Sequence, residues 1–225
     1  MKGIILAAGM GTRLNSQIPK PLSKITNEKT ILDFQMTSLI KKIGNNNILI
    51  VVGFLKDLII SKFPNLNFID NENYQKTNTS KSLLLALKKI DDDIIWMNGD
   101  VYFDEGVLDI LLNENNSCCL VDDKRCGDEE VKYSINQDGF IKELSKSVKN
   151  PKGEALGINV IRKKDLNDFR KELEQVEDND YFEKALENLI KKNKLKLVPI
   201  PVGKLFCKEI DFKNDLEIVK KHVRK

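Results

Sequence analysis

Lys2-Gly3-Ile4-Ile5-Leu6-Ala7-Ala8-Gly9-Met10-Gly11-Thr12-Arg13-Leu14, followed by Pro19-Lys20-Pro21-Leu22, is the stretch on which the reading of this chain turns. Ile4, Ile5 and Leu6 make a short unbroken apolar run, the pattern of a central parallel strand covered on both faces, and the glycines after it end the strand. A tight loop therefore begins near Ala8. Gly9 and Gly11 permit backbone angles closed to other residues and let main-chain N–H groups approach an anion. Arg13 adds a planar cationic fork and Lys20 a mobile point charge between two prolines. Residues Leu6, Ala7, Ala8, Gly9, Met10, Gly11 and Thr12 thus read as a cradle for one polyphosphate. The competing reading is a strand that ends in a plain glycine turn, with Arg13 and Lys20 as solvated charges. The string lacks the third glycine of a dinucleotide fingerprint and the Gly-Lys-Ser/Thr ending of a P-loop.

Outward from the cradle, Thr30 is placed to cap a helix from Ile31 to Ile43 with Gly44 just beyond it. Strands are expected at 48–52 and 66–69, with a short helix at 56–61 between them. This strand, helix, strand rhythm implies parallel pairing through right-handed crossovers. The polar run Tyr74 to Ser82 leads into a helix marked by Leu83, Leu84, Leu87 and Ile90. Its Asn78, Thr79, Ser80 and Ser82 either cap that helix or point at a base or phosphate from a helix N-terminus. Ile94 to Asn98 is another apolar strand, ending in Gly99-Asp100. Carboxyl ends of strands form the ligand crevice of open α/β sheets, so Asp100 is expected to face the cradle. Asp104 is better placed than Asp100 to cap the helix at 105–112.

From Cys118 the pattern changes to a strand at 117–121 and a hairpin of 131–135 and 140–144 around Gln137-Asp138-Gly139, where an antiparallel lobe begins. The charged run 122–130 reads as a solvated loop, although Lys132, Lys146 and the turn holding Glu154 can reach inward. Amphipathic helices follow at 164–174 and 181–192, with Phe182 as a core anchor and Glu183 as a surface acid. Final strands at 195–198 and 205–210 and a closing helix at 214–223 complete the chain, and Asp211 stands at the last strand-to-helix junction. Glu209 shares its strand face, because side chains repeat every second residue.

At 225 residues the chain suits one domain with an appended lobe. Its 37 Lys and Arg against 34 Asp and Glu are interspersed, which argues against general nucleic-acid binding. Cys118, Cys119, Cys126 and Cys207 show no metal or disulfide spacing and read as reduced thiols. The opening run is too short for a signal peptide and no apolar run reaches membrane length, so a soluble cytoplasmic protein is expected. His222, the only histidine, reads as an exposed helix residue, leaving almost no raw material for His catalysis.

The whole opening string, with every position filled, resembles the L-A-A-G-x-G-T-R-L…P-K-P-L signature of the sugar-nucleotidyltransferase superfamily. Gly99-Asp100, Gly153-Glu154-Ala155-Leu156-Gly157, Tyr181-Phe182-Glu183 and Glu209-Ile210-Asp211-Phe212 extend the likeness over nearly the whole chain. It is most similar to the small cytidylyltransferase branch that includes phosphocholine, inositol-phosphate and phosphoglutamine enzymes. That resemblance implies a Rossmann-like three-layer α/β/α sandwich with a mixed, mainly parallel sheet and a small β-rich acceptor lobe. Residues 1–116 would hold the nucleotide, 117–203 the acceptor, and 204–225 a closing strand and helix. It also implies transfer of CMP from CTP to a small phosphorylated, amino-bearing acceptor with release of pyrophosphate, in cell-surface polysaccharide decoration. In that scheme Arg13 and Lys20 are catalytic, and Asn78, Thr79, Ser80, Ser82 and Gly99 join the cradle around the nucleotide. Asp100 and Asp211, with Glu209 beside it, hold Mg2+, while Lys132, Glu154 and Glu183 face the acceptor. A sugar-1-phosphate nucleotidyltransferase using UTP, dTTP or GTP, or a non-catalytic nucleotide-binding subunit, are the alternatives. Oligomeric state is left open, a homodimer included.

Overall fold

The computed structural model describes residues 1–11, 18–124 and 126–224. In chain order these form β1 (Lys2–Ala7), α1 (Ile31–Ile43), β2 (Ile48–Val52), α2 (Lys56–Lys62), β3 (Asn67–Asp70), α3 (Thr79–Leu87), β4 (Ile94–Asn98) and β5 (Val101–Phe103). They continue with α4 (Gly106–Leu112), β6 (Cys118–Asp122), β7 (Lys132–Ile135), β8 (Ile141–Ser145), β9 (Gly153–Ile161) and α5 (Lys163–Gln175). The last are α6 (Phe182–Lys191), β10 (Val198–Pro201), β11 (Cys207–Glu209) and α7 (Lys213–Val223).

The central sheet runs β10-β6-β9-β4-β1-β2-β3. β1 lies parallel to both β2 and β4, as the alternating pattern requires, whereas β9 inserts antiparallel between β4 and β6. Cys118–Asp122, where the lobe was expected to begin, is therefore a strand of this central sheet, and the hairpin β7–β8 branches off β9. Helices cover both faces. α3, α5 and α6 pack on one side, where Trp96 of β4 stacks on Phe169 and meets Phe182 edge-on, each at 5.4 Å between ring centroids. α1 and α4 cover the other side, with Leu32, Met36, Leu39, Val107 and Leu111 buried against β2, β4 and β9. Thr30 caps α1 as its sequence predicts: its hydroxyl accepts from the Asp33 amide at 3.4 Å while the Asp33 carboxylate accepts from the Thr30 amide at 2.7 Å.

Three local expectations are corrected, and one strand went unread. The strand read at 195–198 lies at Val198–Pro201, and its Pro199 and Pro201 are tolerated because β10 is the sheet's edge. β5, too short to read from sequence, pairs antiparallel with β11. Asp104 does not cap α4; its carboxylate accepts instead from the Phe206 amide at 2.9 Å and bonds His222 Nε2 at 2.7 Å. His222 is accordingly half-buried rather than exposed, stacked on Phe206 at 4.0 Å, and it fastens α7 to the molecule.

Candidate active site

The carboxyl ends of β1 and β4 lie side by side, Leu6 opposite Asn98, and the Gly99 amide donates to the Leu6 carbonyl at 2.8 Å. A Cβ on Gly99 would stand 2.8 Å from that same oxygen and from Pro21, so only glycine lets Asp100 turn this close beneath the cradle. Gln35 of α1, buried, donates its amide to the carbonyls of Asn98 and Val101, both at 2.8 Å, and so clamps the turn from either side of Asp100. Past Asp100 the chain enters β5, whose Val101 is paired with Glu209 of β11, and the Ile210 amide donates to the Asp100 carbonyl at 2.9 Å. This pairing sets Asp211 beside Asp100 across more than a hundred residues of sequence.

Lys20 completes the constellation. It opens a 3-10 turn after Pro19, and its stem passes over Gly11, whose φ is +59° and whose missing Cβ leaves the room, 2.6 Å from Lys20 Cγ. Its ammonium donates to Asp100 Oδ2 at 3.1 Å and to Asp211 Oδ1 at 2.6 Å. Burial works to lower the Lys20 pKa, but the Asp100 and Asp211 carboxylates outweigh it and hold the ammonium above its ordinary range. Burial pushes the Asp100 carboxyl up against the opposing pull of Lys20. Glu209 is pushed well up by burial and then by the charges of Asp100 and Asp211, and Asn98 Nδ2 donates to it at 3.4 Å. The donor set is hard carboxylate oxygen beside the Lys20 ammonium, which suits Mg2+. Among the described residues no three such groups converge as a ready cage, so Asp100 and Asp211 would hold the ion, leaving coordination positions for water and phosphate oxygens.

Asp100 and Asp211 open onto a cavity of about 650 Å³. Of the residues expected around the nucleotide, Leu6, Ala7, Gly9, Met10, Gly11, Asn78, Thr79 and Gly99 line this cavity. Ala8 does not line it, its carbonyl instead accepting from the Phe54 amide at 3.0 Å. Ser80 and Ser82 are also turned away: both are buried, and the Ser82 hydroxyl accepts from Asn71 at 2.9 Å. Asn78 and Thr79 reach the cavity while tying α3 to the connection before α6, Asn78 Nδ2 donating to the Asn179 carbonyl at 3.2 Å and the Phe182 amide donating to Thr79 Oγ1 at 3.2 Å. Thr12 and Arg13 lie outside the described residues.

Of the residues expected to face the acceptor, Glu154 is buried and paired with Lys124 at 2.8 Å. Lys132 does not line the cavity, its ammonium donating to the Lys146 carbonyl at 2.9 Å. Glu183, read as a surface acid, is buried because Phe182 beside it is pulled under Trp96; burial raises its carboxyl to about 7, and Oε2 finds no partner among the described residues. Lys146 stands nearby, its ammonium 5.3 Å from the exposed ring of Tyr181 and 3.3 Å from Glu129. Sequence reasoning passed over Gln35, Asn98 and Lys124. Only Gln35 left a signal, as an amide on the apolar stripe between Leu32, Met36 and Leu39.

Comparison with known proteins agrees with this architecture. The chain is similar to the bifunctional protein GlmU of Methanococcus maripaludis (strain C7 / ATCC BAA-1331), 34% identical over 169 residues that make up 72% of this chain and 38% of that protein. It thus spans well under half the length of that relative. The D-glycero-alpha-D-manno-heptose 1-phosphate guanylyltransferase of Campylobacter jejuni is 28% identical over 86% of this chain and 88% of its own. The choline-phosphate cytidylyltransferase of Streptococcus pneumoniae is 38% identical over 40% of this chain and 41% of its own. In fold, the solved CTP:phosphocholine cytidylyltransferase from Streptococcus pneumoniae superposes with a TM-score of 0.78 at 21% identity, covering 99% of this chain and 98% of that one. The model of the MobA-like NTP transferase domain matches residues 3–179, well over half of the chain, and the protein therefore belongs to that family.

Proposed function

We propose that this protein is a Mg2+-dependent cytidylyltransferase that moves CMP from CTP onto a small phosphorylated acceptor bearing an amino group, phosphoglutamine or phosphocholine, and releases pyrophosphate. The observation that carries this reading is the meeting of Lys20, Asp100 and Asp211 at the mouth of one cavity, the ammonium 3.1 and 2.6 Å from the two carboxylates, under the loop that ends β1. The attacking oxygen belongs to a phosphate monoester whose second pKa is about 6, so it is ionised at neutral pH and needs no general base. The work left to the protein is positioning and charge neutralisation. Main-chain amides at Gly9 to Gly11 cradle the leaving pyrophosphate, with Arg13 of the same loop assigned to it. Lys20 neutralises charge that grows around the α-phosphate. A bound Mg2+, held by Asp100 and Asp211, would supply Lewis-acid charge neutralisation on the phosphate oxygens.

CTP is favoured by the cytidylyltransferase relative and by the fold shared with a phosphocholine enzyme. An amino-bearing acceptor is favoured by Glu183, which lines the cavity and is buried with an oxygen that finds no partner among the described residues. We place the enzyme in the cytoplasm, feeding surface-polysaccharide decoration. A second reading, a sugar-1-phosphate nucleotidyltransferase using UTP, dTTP or GTP, draws on the heptose 1-phosphate guanylyltransferase, which matches most of both chains. A screen of the four ribonucleotides and dTTP against phosphocholine, phosphoglutamine, inositol 1-phosphate and hexose 1-phosphates, read by pyrophosphate release, separates them. Release dependent on CTP and an amino-bearing acceptor is expected; release with UTP, dTTP or GTP and a sugar phosphate would select the second reading.

A further inference from the structure

We infer that Lys20 is the site's own counter-ion, standing between Asp100 and Asp211 where a divalent ion would bind, and that the ion enters only by exchange with it. The inference rests on reading Asp100 and Asp211 as the metal pair. The ammonium reaches both carboxylates at once, 3.1 Å from one and 2.6 Å from the other, with its side chain only 10% exposed. Two carboxylates brought this close repel each other unless a cation separates them, and Glu209 adds a third acid behind them. The fold holds the base of Lys20 firmly. Its backbone is confined between Pro19 and Pro21, the Leu22 amide closes the turn onto the Pro19 carbonyl at 2.9 Å, and its inner methylenes lie over Gly11. Only the outer end of a flexible four-carbon stem is left to swing.

A free divalent ion competes with a cation already tethered at high effective concentration, so nucleotide-free protein binds it weakly. A metal–triphosphate complex carries its own phosphate oxygens to the ion and an anion for the displaced ammonium. The exchange therefore favours loading of metal and nucleotide together, and it leaves Lys20 unpaired just when the α-phosphate arrives.

The test uses Mn2+ as a probe on nucleotide-free protein, followed by electron paramagnetic resonance of the free ion. Lys20→Met and Lys20→Gln, each checked for native circular dichroism, are expected to bind one Mn2+ at least 10-fold more tightly than the wild type, and Mn2+ is expected to raise their melting temperatures more than the wild type's. Adding Asp100→Asn to Lys20→Met is expected to abolish that binding. Equal or weaker Mn2+ affinity in both Lys20 variants, or no binding by them at all, overturns the exchange. Tight binding that survives Asp100→Asn places the ion elsewhere and overturns the exchange together with the metal pair, without bearing on which nucleotide the enzyme uses.

Discussion

Single side chains in this molecule are set by the charges around them more than by their own chemistry. Lys20 lies between two carboxylates, and Lys20→Ala is expected to lower turnover roughly 10²-fold, as removal of one preorganised electrostatic donor does, while circular dichroism stays native. Single-turnover rates with saturating nucleotide check this. Glu183 is governed by burial, which raises its carboxyl from 4.5 to about 7. A folded pKa above the unfolded one means that the folded state holds the proton more tightly, so this stabilisation is complete below about pH 4.5 and is lost as pH rises through about 7. Glu183→Gln removes the cost of ionising a buried acid and is expected to stabilise the protein by roughly 3 kcal/mol at pH 8, since each tenfold change in proton affinity is worth about 1.4 kcal/mol. The gain should shrink toward pH 5, which denaturant titrations at the two pH values measure.

Among the elements, α1 bears on the site without lining its cavity. Its Gln35 amide bonds the carbonyls on both sides of Asp100, both at 2.8 Å, from a buried position. Gln35→Leu keeps the volume but strands those carbonyls; it is expected to cost about 2–3 kcal/mol by urea unfolding. A displaced Asp100 should also lower turnover by up to roughly 10²-fold, the penalty of a misplacement near 1 Å. α3 is stitched to the other half of the cavity. Lys81 donates to the carbonyls of Leu173 at 3.0 Å and Val176 at 2.6 Å, and the Asn78 amide donates to the Asp178 carbonyl at 2.8 Å. The start of α3 and the connection between α5 and α6 are thus one hydrogen-bonded unit.

Across the whole molecule, the end of the chain returns to its first half. A small core of Ile25, Ile31, Tyr102, Ile210 and Val219 seats α7, and the Asp104–His222 bond at 2.7 Å with the Phe206 stack pins it. Asp211 stands just before that helix. His222→Ala is expected to cost about 1–2 kcal/mol of stability through the lost hydrogen bond and ring contact. Limited proteolysis should then cut first at the C-terminal helix, and turnover should fall with no change in the rest of the hydrogen-exchange pattern.

Local physics made much of this legible in the sequence. Thr30 and Asp33 capped α1 because a hydroxyl and a carboxylate three residues apart can satisfy each other's amides, and Ile4 to Leu6 announced a buried parallel strand whose end becomes the cradle. Glycines at 9 and 11 and the Pro-Lys-Pro turn pointed to an anion, and the residue types left little for His chemistry. Other features depended on contacts between distant segments. β5 is three residues long, too short to show a period, yet its pairing with β11, within the strand read at 205–210, is what sets Asp211 beside Asp100. Ser80 and Ser82 share a helix N-terminus with Asn78 and Thr79, and only packing decided that the serines face inward. Glu183 looked solvated until the Trp96 contact buried its neighbour Phe182. The sequence by itself determined β1, β2, β4 and the Thr30 cap of α1, because those follow from neighbours in the chain. Which carboxylates meet, and which cation stands between them, only the tertiary structure decided, because electrostatic pairing depends on distance in space and not on separation in sequence.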